Sequence, residues 1–405
     1  MKKSQLLRLR HVKTFGNSMS PLLIDGDIVY LKRKKFDLIT IDDIVCIYKR
    51  EKLFTHRVIY RANNYIITRG DNSSVSDGRS YSRNIVGVVE KIKREEEIYG
   101  INDLYLIQST LYLKEVLKLQ RAFKKTSLDF VFLKGLPLYL YLDGELPKRI
   151  YADCDLLVDN FILAERIFKK LGYRKERLGK DMFQMKKDKE ASFYKLVKGF
   201  PVVFDLHKEV VFIMVRAGNL NMLYPQSLIQ KLTNKFLVEK KYIRLKKHGE
   251  LLPILSMENL IVYLCLHLFN HNFAGPYRYD FLNKVLKKKF DLHDVLQTIN
   301  DFQLVKFVYP AFFLLKKYYF SKTSAEVIKK MNMSINIHKY THKNLFSAAP
   351  KPFGSGEYFI AAFNASPIPI WKRCLVLLDT RVVVVGFKVI IKKITDSFRD
   401  YSFRF

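Results

Sequence analysis

Residues 130–135 read FVFLKG, residues 153–158 read DCDLLV, and residues 201–207 read PVVFDLH. Each is a short apolar run, rich in β-branched or aromatic residues, that carries its polar residues at one end; this is the pattern of buried strands with chemistry at their tips. Side chains alternate along a strand, so Asp153 and Asp155, two residues apart, point to the same face. Asp205 on a neighbouring strand can complete a cluster of three carboxylates. Carboxylate oxygens suit hard divalent cations such as Mg²⁺, which share their remaining positions with substrate phosphates. At the preceding turn, Lys134 and Gly135 offer a cation and free backbone amides to those phosphates.

Outward from this segment the chain alternates. A helical pattern from Leu104 to Phe123 precedes FVFLKG, and LPLYLYLDG (136–144) and FILAERIFKKLG (161–172) supply helices on either side of DCDLLV. Such alternation implies an α/β core. Ser256 stands as an N-cap before MENLIVYLCLHLF, and helical periodicity continues to about residue 335. The stretch 336–370 reads as loop, because Pro350, Pro352, Gly354, Gly356, Pro367 and Pro369 fall in it. His267 and His271, four apart on one helix face, lack the glutamate of a zinc-protease helix and read as buried or hydrogen-bonded histidines.

The set Leu133-Lys134-Gly135, Arg149, Asp153 to Val158, Gly172-Tyr173 and Asp205-Leu206-His207 resembles the nucleotidyltransferase superfamily of polymerase-β type. More narrowly it is similar to a poorly characterised bacterial nucleotidyltransferase family, over about residues 105–290. The resemblance implies an NTP substrate with Mg²⁺ or Mn²⁺ as cofactor. It implies metal binding by Asp153 and Asp155, metal binding or base work by Asp205, and triphosphate contacts from Lys134, Gly135 and Arg149. The family pattern usually has Glu where this chain has Asp205, which is shorter by one methylene but still able to ligate.

The first hundred residues read differently. Runs such as DIVYLK, IVCIYK, RVIYR, YIITR and IVGVVEKI are separated by Asp25-Gly26, Asn63-Asn64, Gly70-Asp71-Asn72 and Asp77-Gly78. That spacing indicates a compact all-β unit closed by the charged stretch Lys91–Glu97. Ser18 lies in a turn flanked by Gly16 and Pro21. A serine needs a base to become nucleophilic, and His56 is suited to that work near neutrality. Either Asp77 or Asp71 can fix the imidazole tautomer. The order Ser18-Met19-Ser20-Pro21, Gly26-Asp27, His56-Arg57-Val58, Gly70-Asp71-Asn72 and Ile85-Val86-Gly87 resembles the S26 signal peptidase family of the LexA-like clan, in its histidine-using branch. By that resemblance Ser18 is the nucleophile, His56 the general base, Asp77 the orienting acid and Asp71 structural or auxiliary; no cofactor is implied.

The whole chain has 405 residues, 49% hydrophobic and 14% aromatic, which excludes a disordered or fibrous protein. Four cysteines without a CxxC pair exclude a zinc ribbon and a disulfide scaffold. A net charge of +32 suits polyanionic partners, namely nucleotides, nucleic acid or an anionic membrane surface. No apolar run reaches the ~20 residues of a spanning helix. The expectation is therefore a cytoplasmic protein, with peripheral membrane contact as its only membrane option.

The expected fold class is α+β multidomain. Residues 1–97 form a small all-β peptidase-like domain, residues 98–250 an α/β nucleotidyltransferase-like core, and residues 251–405 its helical C-terminal region. Fusion suggests that both halves act on one molecule, with a peptide as acceptor. The competing expectation is a pair of catalytically degenerate modules that bind peptide or nucleic acid.

Overall fold

The structure, a computed structural model, describes residues 9–49, 51–73, 76–144, 153–175, 189–210, 223–245, 249–271, 273, 276–331 and 356–378. Eight strands make a first sheet: β1 (His11–Lys13), β2 (Ile28–Lys32), β3 (Ile44–Lys49), β4 (Lys52–Arg61), β5 (Tyr65–Arg69), β6 (Arg79–Tyr81), β7 (Ile85–Arg94) and β8 (Glu97–Gly100). Their order is β1-β2-β7-β3-β4-β5-β6, with β8 also paired to β7. Neighbouring strands run antiparallel.

The alternation of β3 explains why the sheet is covered on both faces. Ile44 and Cys46 enter one apolar cluster with Met19, Leu22, Leu23, Val29 and Ile92. Val45 and Ile47 enter the other with Ile39, Val58 and Ile66. A strand buried on both faces reads as an unbroken apolar run, which is what IVCIY is.

One ion pair is locked inside this unit. Arg94 at the end of β7 donates Nε and Nη2 to the two oxygens of Asp27, at 2.9 and 2.6 Å. Nη2 also reaches the Leu22 carbonyl oxygen, and Asp27 Oδ2 accepts the Ile24 amide. The guanidinium lies 4.4 Å from the centroid of the Phe200 ring, and both charged side chains are 2% exposed. The Gly26-Asp27 turn thus serves packing.

The chain divides into two compact units. The first comprises Met1–Arg121, Tyr139–Cys154 and Tyr194–Val203, and the second Ala122–Leu138, Asp155–Phe193 and Phe204–Phe405. In the first, Leu104, Leu111 and Phe200 join the cluster around Met19 and Leu22. The helix α1 (Asp103–Lys124) supplies the first two of these.

A second sheet contains β9 (Phe130–Phe132), β10 (Cys154–Val158), β11 (Arg174–Lys175), β12 (Glu190–Val197), β13 (Phe200–His207), β14 (Lys241–Arg244) and β15 (Leu251–Ile254), in the order β11-β12-β13-β10-β9-β15-β14. β9 pairs with β10 antiparallel and with β15 parallel. Helices α2 (Leu136–Asp143) and α3 (Phe161–Lys170) flank β10 in sequence as the alternation predicts, and α4 (Gln226–Val238) follows β13. Strands β12, β14 and β15 were not expected: β12 carries Glu190 and Lys195 among its apolar residues, and β14 is mostly exposed.

The helical region contains α5 (Met257–Asn270), α6 (Pro276–Leu286), α7 (Leu292–Asp301), α8 (Val305–Tyr319) and α9 (Lys322–Met331), then α10 (Gly356–Ala365) and α11 (Ile370–Leu378). Ser256 caps α5 by accepting the Asn259 amide at 3.2 Å. Of the loop expected over 336–370, residues 336–355 lie outside the described residues, and the remainder needs correction. Gly356–Ala365 is helix, and Ala362 and Ala365 are buried. Among the described residues, no helix is long and apolar enough to cross a membrane.

Removing one partner of a buried pair strands the other charge without solvent. Asp27→Ala is therefore expected to destabilise the first unit by about 3–5 kcal/mol. Urea unfolding followed by circular dichroism checks this, and a loss below about 1 kcal/mol would show the pair to be dispensable.

Candidate functional sites

Ser18 stands in the turn between β1 and β2, held by backbone bonds from Ser20 N to Asn17 O and from Leu23 N to Met19 O. Its carbonyl oxygen accepts the Asn72 amide at 2.8 Å. Gly70 packs so close to that carbonyl that a Cβ there would sit 2.5 Å from the oxygen, so the loop needs glycine at this point. The sequence brings Gly70-Asp71-Asn72 to Ser18 for this backbone reason.

Ser18 Oγ lies 2.9 Å from His56 Nε2, and His56 Nδ1 lies 2.8 Å from Asp77 Oδ2. A carboxylate only accepts, so Nδ1 carries the hydrogen and Nε2 is left to accept from the serine. Thr68 Oγ1 donates to the same Asp77 oxygen at 2.6 Å, and Lys49 Nζ holds the Asp77 carbonyl oxygen at 2.6 Å. His56 is 7% exposed on β4, while Ser18 remains half-buried.

Of the two acids left open at this point, Asp77 meets the imidazole. Asp71 instead accepts Nε and Nη2 of Arg57, each at 2.7 Å. Burial disfavours the guanidinium charge, but the Asp71 carboxylate outweighs it and holds Arg57 above its ordinary pKa. Thr68 and Lys49 carry no motif signal; only the register of β4 against β5, Val58 opposite Thr68, brings Thr68 there.

The second site gathers at the entrance of β10. Asp153, Asp155 and Asp205 each offer a carboxylate oxygen, all within 4.8 Å of one another. Asp155 is 3% exposed. The Leu133 amide bonds the Asp155 carbonyl at 2.9 Å, which sets Lys134 beside that residue, and Lys134 Nζ lies 2.9 Å from Asp155 Oδ2. His207 Nε2 lies 2.9 Å from Asp155 Oδ1, and Ser192 Oγ donates to Asp205 Oδ1 at 2.6 Å. Gly135 has φ +96°, a backbone state that glycine adopts without strain. Arg149 lies outside the described residues. His207 belongs to the Asp205-Leu206-His207 set read from the sequence but had no role there, and Ser192 was not foreseen, since a lone serine in a strand gives no distinctive pattern.

Three oxygen donors and an adjacent ammonium form a set that fits Mg²⁺ or Mn²⁺ better than a soft, sulfur-seeking metal. The strand order, with β10 between β13 and β9, is what brings Asp205 next to the Asp153–Asp155 pair.

A family model described as an uncharacterised nucleotidyltransferase matches residues 96–320. The chain belongs to this nucleotidyltransferase family. The crystal structure of an antigenic nucleotidyltransferase-like protein from Paracoccidioides brasiliensis is also similar, with a TM-score of 0.31 and 12% identity over 56% of this chain and 92% of that one. No curated protein matches the chain.

Within the nucleotidyltransferase segment, His267 of α5 meets His271, the residue that caps that helix: their Nε2 atoms are 3.1 Å apart, with ring centroids at 4.4 Å. Burial pushes the His267 pKa well below its ordinary value, and the nearby His271, Lys134, Arg278 and His207 push it the same way. His267 is thus neutral near pH 7 and at least one ring nitrogen of the pair carries no hydrogen.

In the unfolded chain the imidazole protonates near pH ~6.5, whereas in the folded chain it does not until lower pH. The unfolded state therefore binds the extra proton, and stability is lost as pH falls below about 6.5, at up to about 1.4 kcal/mol per pH unit. His267→Gln is expected to flatten that slope between pH 6.5 and 5. Equal slopes in urea titrations of both proteins would contradict a neutral His267.

Proposed function

We propose that the nucleotidyltransferase segment moves an NMP group from an NTP to an acceptor, and that the serine site at residues 1–97 cleaves a peptide bond in a substrate of the same pathway step. Functionally the chain then divides into the peptidase-like part at 1–97, the transferase core at 98–250 and the helical region at 251–405. The observation that carries the transferase reading is the group Asp153, Asp155 and Asp205 with Lys134 against Asp155.

Asp153 and Asp155 are the residues that would hold a divalent cation, with Asp205 as third ligand or as base. Such a cation supplies charge neutralisation for the phosphates when bound. Lys134 is close enough to Asp155 to exchange that carboxylate for a phosphate oxygen, and Gly135, at φ +96°, follows it in a turn that a side chain would strain. His207 orients Asp155 through Oδ1, and Ser192 orients Asp205. In the transfer an acceptor hydroxyl oxygen forms a bond to the α-phosphorus. The bond from that phosphorus to the bridging oxygen breaks, pyrophosphate leaves, and Asp205 takes the hydroxyl proton.

A second reading concerns the other site and rests on the chain of contacts Ser18–His56–Asp77. Ser18 Oγ attacks a peptide carbonyl carbon while His56 Nε2 takes its proton. His56 then returns that proton to the leaving amine, and water hydrolyses the acyl-serine. Asp77 holds the imidazole in the required tautomer, and Thr68 holds Asp77. The Ser18 amide is the donor available to the oxyanion.

Each activity has its own test. With each α-labelled NTP, Mg²⁺ and cell extract, the wild type should label an acceptor. Asp153→Asn should lose more than the ~10–100-fold typical of removing a merely supporting group. An unlabelled extract with a folded wild type would favour a binding protein over a transferase. For the serine site, Ser18→Ala and His56→Ala should each cost about 10³-fold or more in cleavage, without further loss in the double variant. Cleavage that survives in Ser18→Ala would remove the serine mechanism.

A further inference from the structure

The serine site has one polar contact that comes from outside the first hundred residues. Arg57 Nη1 donates to the hydroxyl of Tyr105 at 3.0 Å. Tyr105 lies in the first turn of α1, inside the segment that the nucleotidyltransferase family model matches. The same guanidinium holds both oxygens of Asp71 at 2.7 Å and the Asp42 carbonyl at 3.1 Å. Asp71 belongs to the loop whose Gly70 crowds the Ser18 carbonyl and whose Asn72 amide bonds it at 2.8 Å. Asp71 N also faces Met19 Sδ at 3.4 Å, and Asn72 Nδ2 donates to the Asn17 carbonyl at 3.2 Å.

We propose that Tyr105 is a positioning residue of the serine site, acting through Arg57 and Asp71 on the loop that sets Ser18. The proposal rests on the serine-peptidase reading above and extends it: cleavage by the first unit depends on a side chain contributed by the transferase-family segment.

The chemistry favours this over simple surface bonding. Arg57 and Asp71 are 14% and 18% exposed at their side chains, so the guanidinium is mostly cut off from water and each lost partner matters. Arg57 follows His56 directly on β4, so a shift of its head group is felt at both ends of the site, through the β4 backbone at His56 and through Asp71 at Ser18. Nucleophile and base are 2.9 Å apart, and a displacement of a fraction of an ångström weakens proton transfer steeply. Apolar contacts assist: Leu104 and Leu111 of α1 lie in the same cluster as Met19 and Leu22, which follow Ser18 in sequence.

The experiment measures the rate of Ser18 phosphonylation by a fluorophosphonate probe in the full chain, from pH 5.5 to 8.5. Tyr105→Phe keeps the ring and removes only the hydroxyl. It is expected to lower the plateau rate about three- to tenfold, with the shape of the pH profile and the thermal midpoint unchanged. Tyr242→Phe, at an exposed tyrosine of β14, serves as control. In a cycle with Arg57→Lys, the effect of Tyr105→Phe should shrink to less than twofold, because the hydroxyl acts through that guanidinium.

Wild-type rate in Tyr105→Phe, or full additivity with Arg57→Lys, would overturn the positioning role while leaving the serine site intact. A folded wild type in which Ser18 never reacts would overturn the serine reading and this inference with it.

Discussion

Three carboxylates within 4.8 Å of one another are the arrangement around which the transferase segment is organised. Two full charges about 4 Å apart cost roughly 4 kcal/mol at an effective dielectric near 20, so such a group forms only where other interactions oppose the repulsion. Here Lys134 and His207 take the two oxygens of Asp155, and Ser192 takes one of Asp205. Each comes from a different piece of backbone: the turn after β9, the end of β13 and the strand β12. The order β12-β13-β10-β9 is thus the arrangement that assembles both the acids and the groups that make them tolerable. On the proposed function, a cation and a triphosphate would exploit the charge that the protein has concentrated.

The serine site meets the opposite difficulty. Its charge is small, and what it needs is orientation. Antiparallel register supplies that, since His56 and Thr68 lie on adjacent strands and both contact Asp77 Oδ2. The Asp27–Arg94 pair closes the turn after Ser18 against β7, and the Arg57–Asp71 pair closes the following loop. Two bidentate arginine–carboxylate pairs therefore bracket Ser18, one almost wholly enclosed and one partly open. Arginine suits this use because its planar fork matches both carboxylate oxygens at once.

Much of this was legible in the sequence, and the reasons differ by residue. Asp153 and Asp155 announce themselves by i, i+2 spacing at a strand end, and Ser256 by the apolar helix it precedes. Asp71 and Asp77 are chemically alike and six residues apart, so only the folded loop decides which one meets His56. Thr68, Ser192 and Tyr105 left no trace, because each acts through a contact with a residue far away in sequence and each is common in strands or helices for other reasons. The α10 helix was hidden by the Pro and Gly around it: Gly356 lies within its range, and Pro367 and Pro369 come only after Ala365, where proline commonly follows a helix end.

The account turns on whether the acid group at β10 is a cation and triphosphate site. A crystal of the full chain soaked with Mn²⁺ and a non-hydrolysable NTP, examined by anomalous scattering at the manganese edge, tests this most directly. A manganese peak within ligand distance of Asp153, Asp155 and Asp205, with the triphosphate against Lys134 and Gly135, is the result predicted. A fully bound nucleotide elsewhere on the protein, with no manganese at the three aspartates, would contradict it.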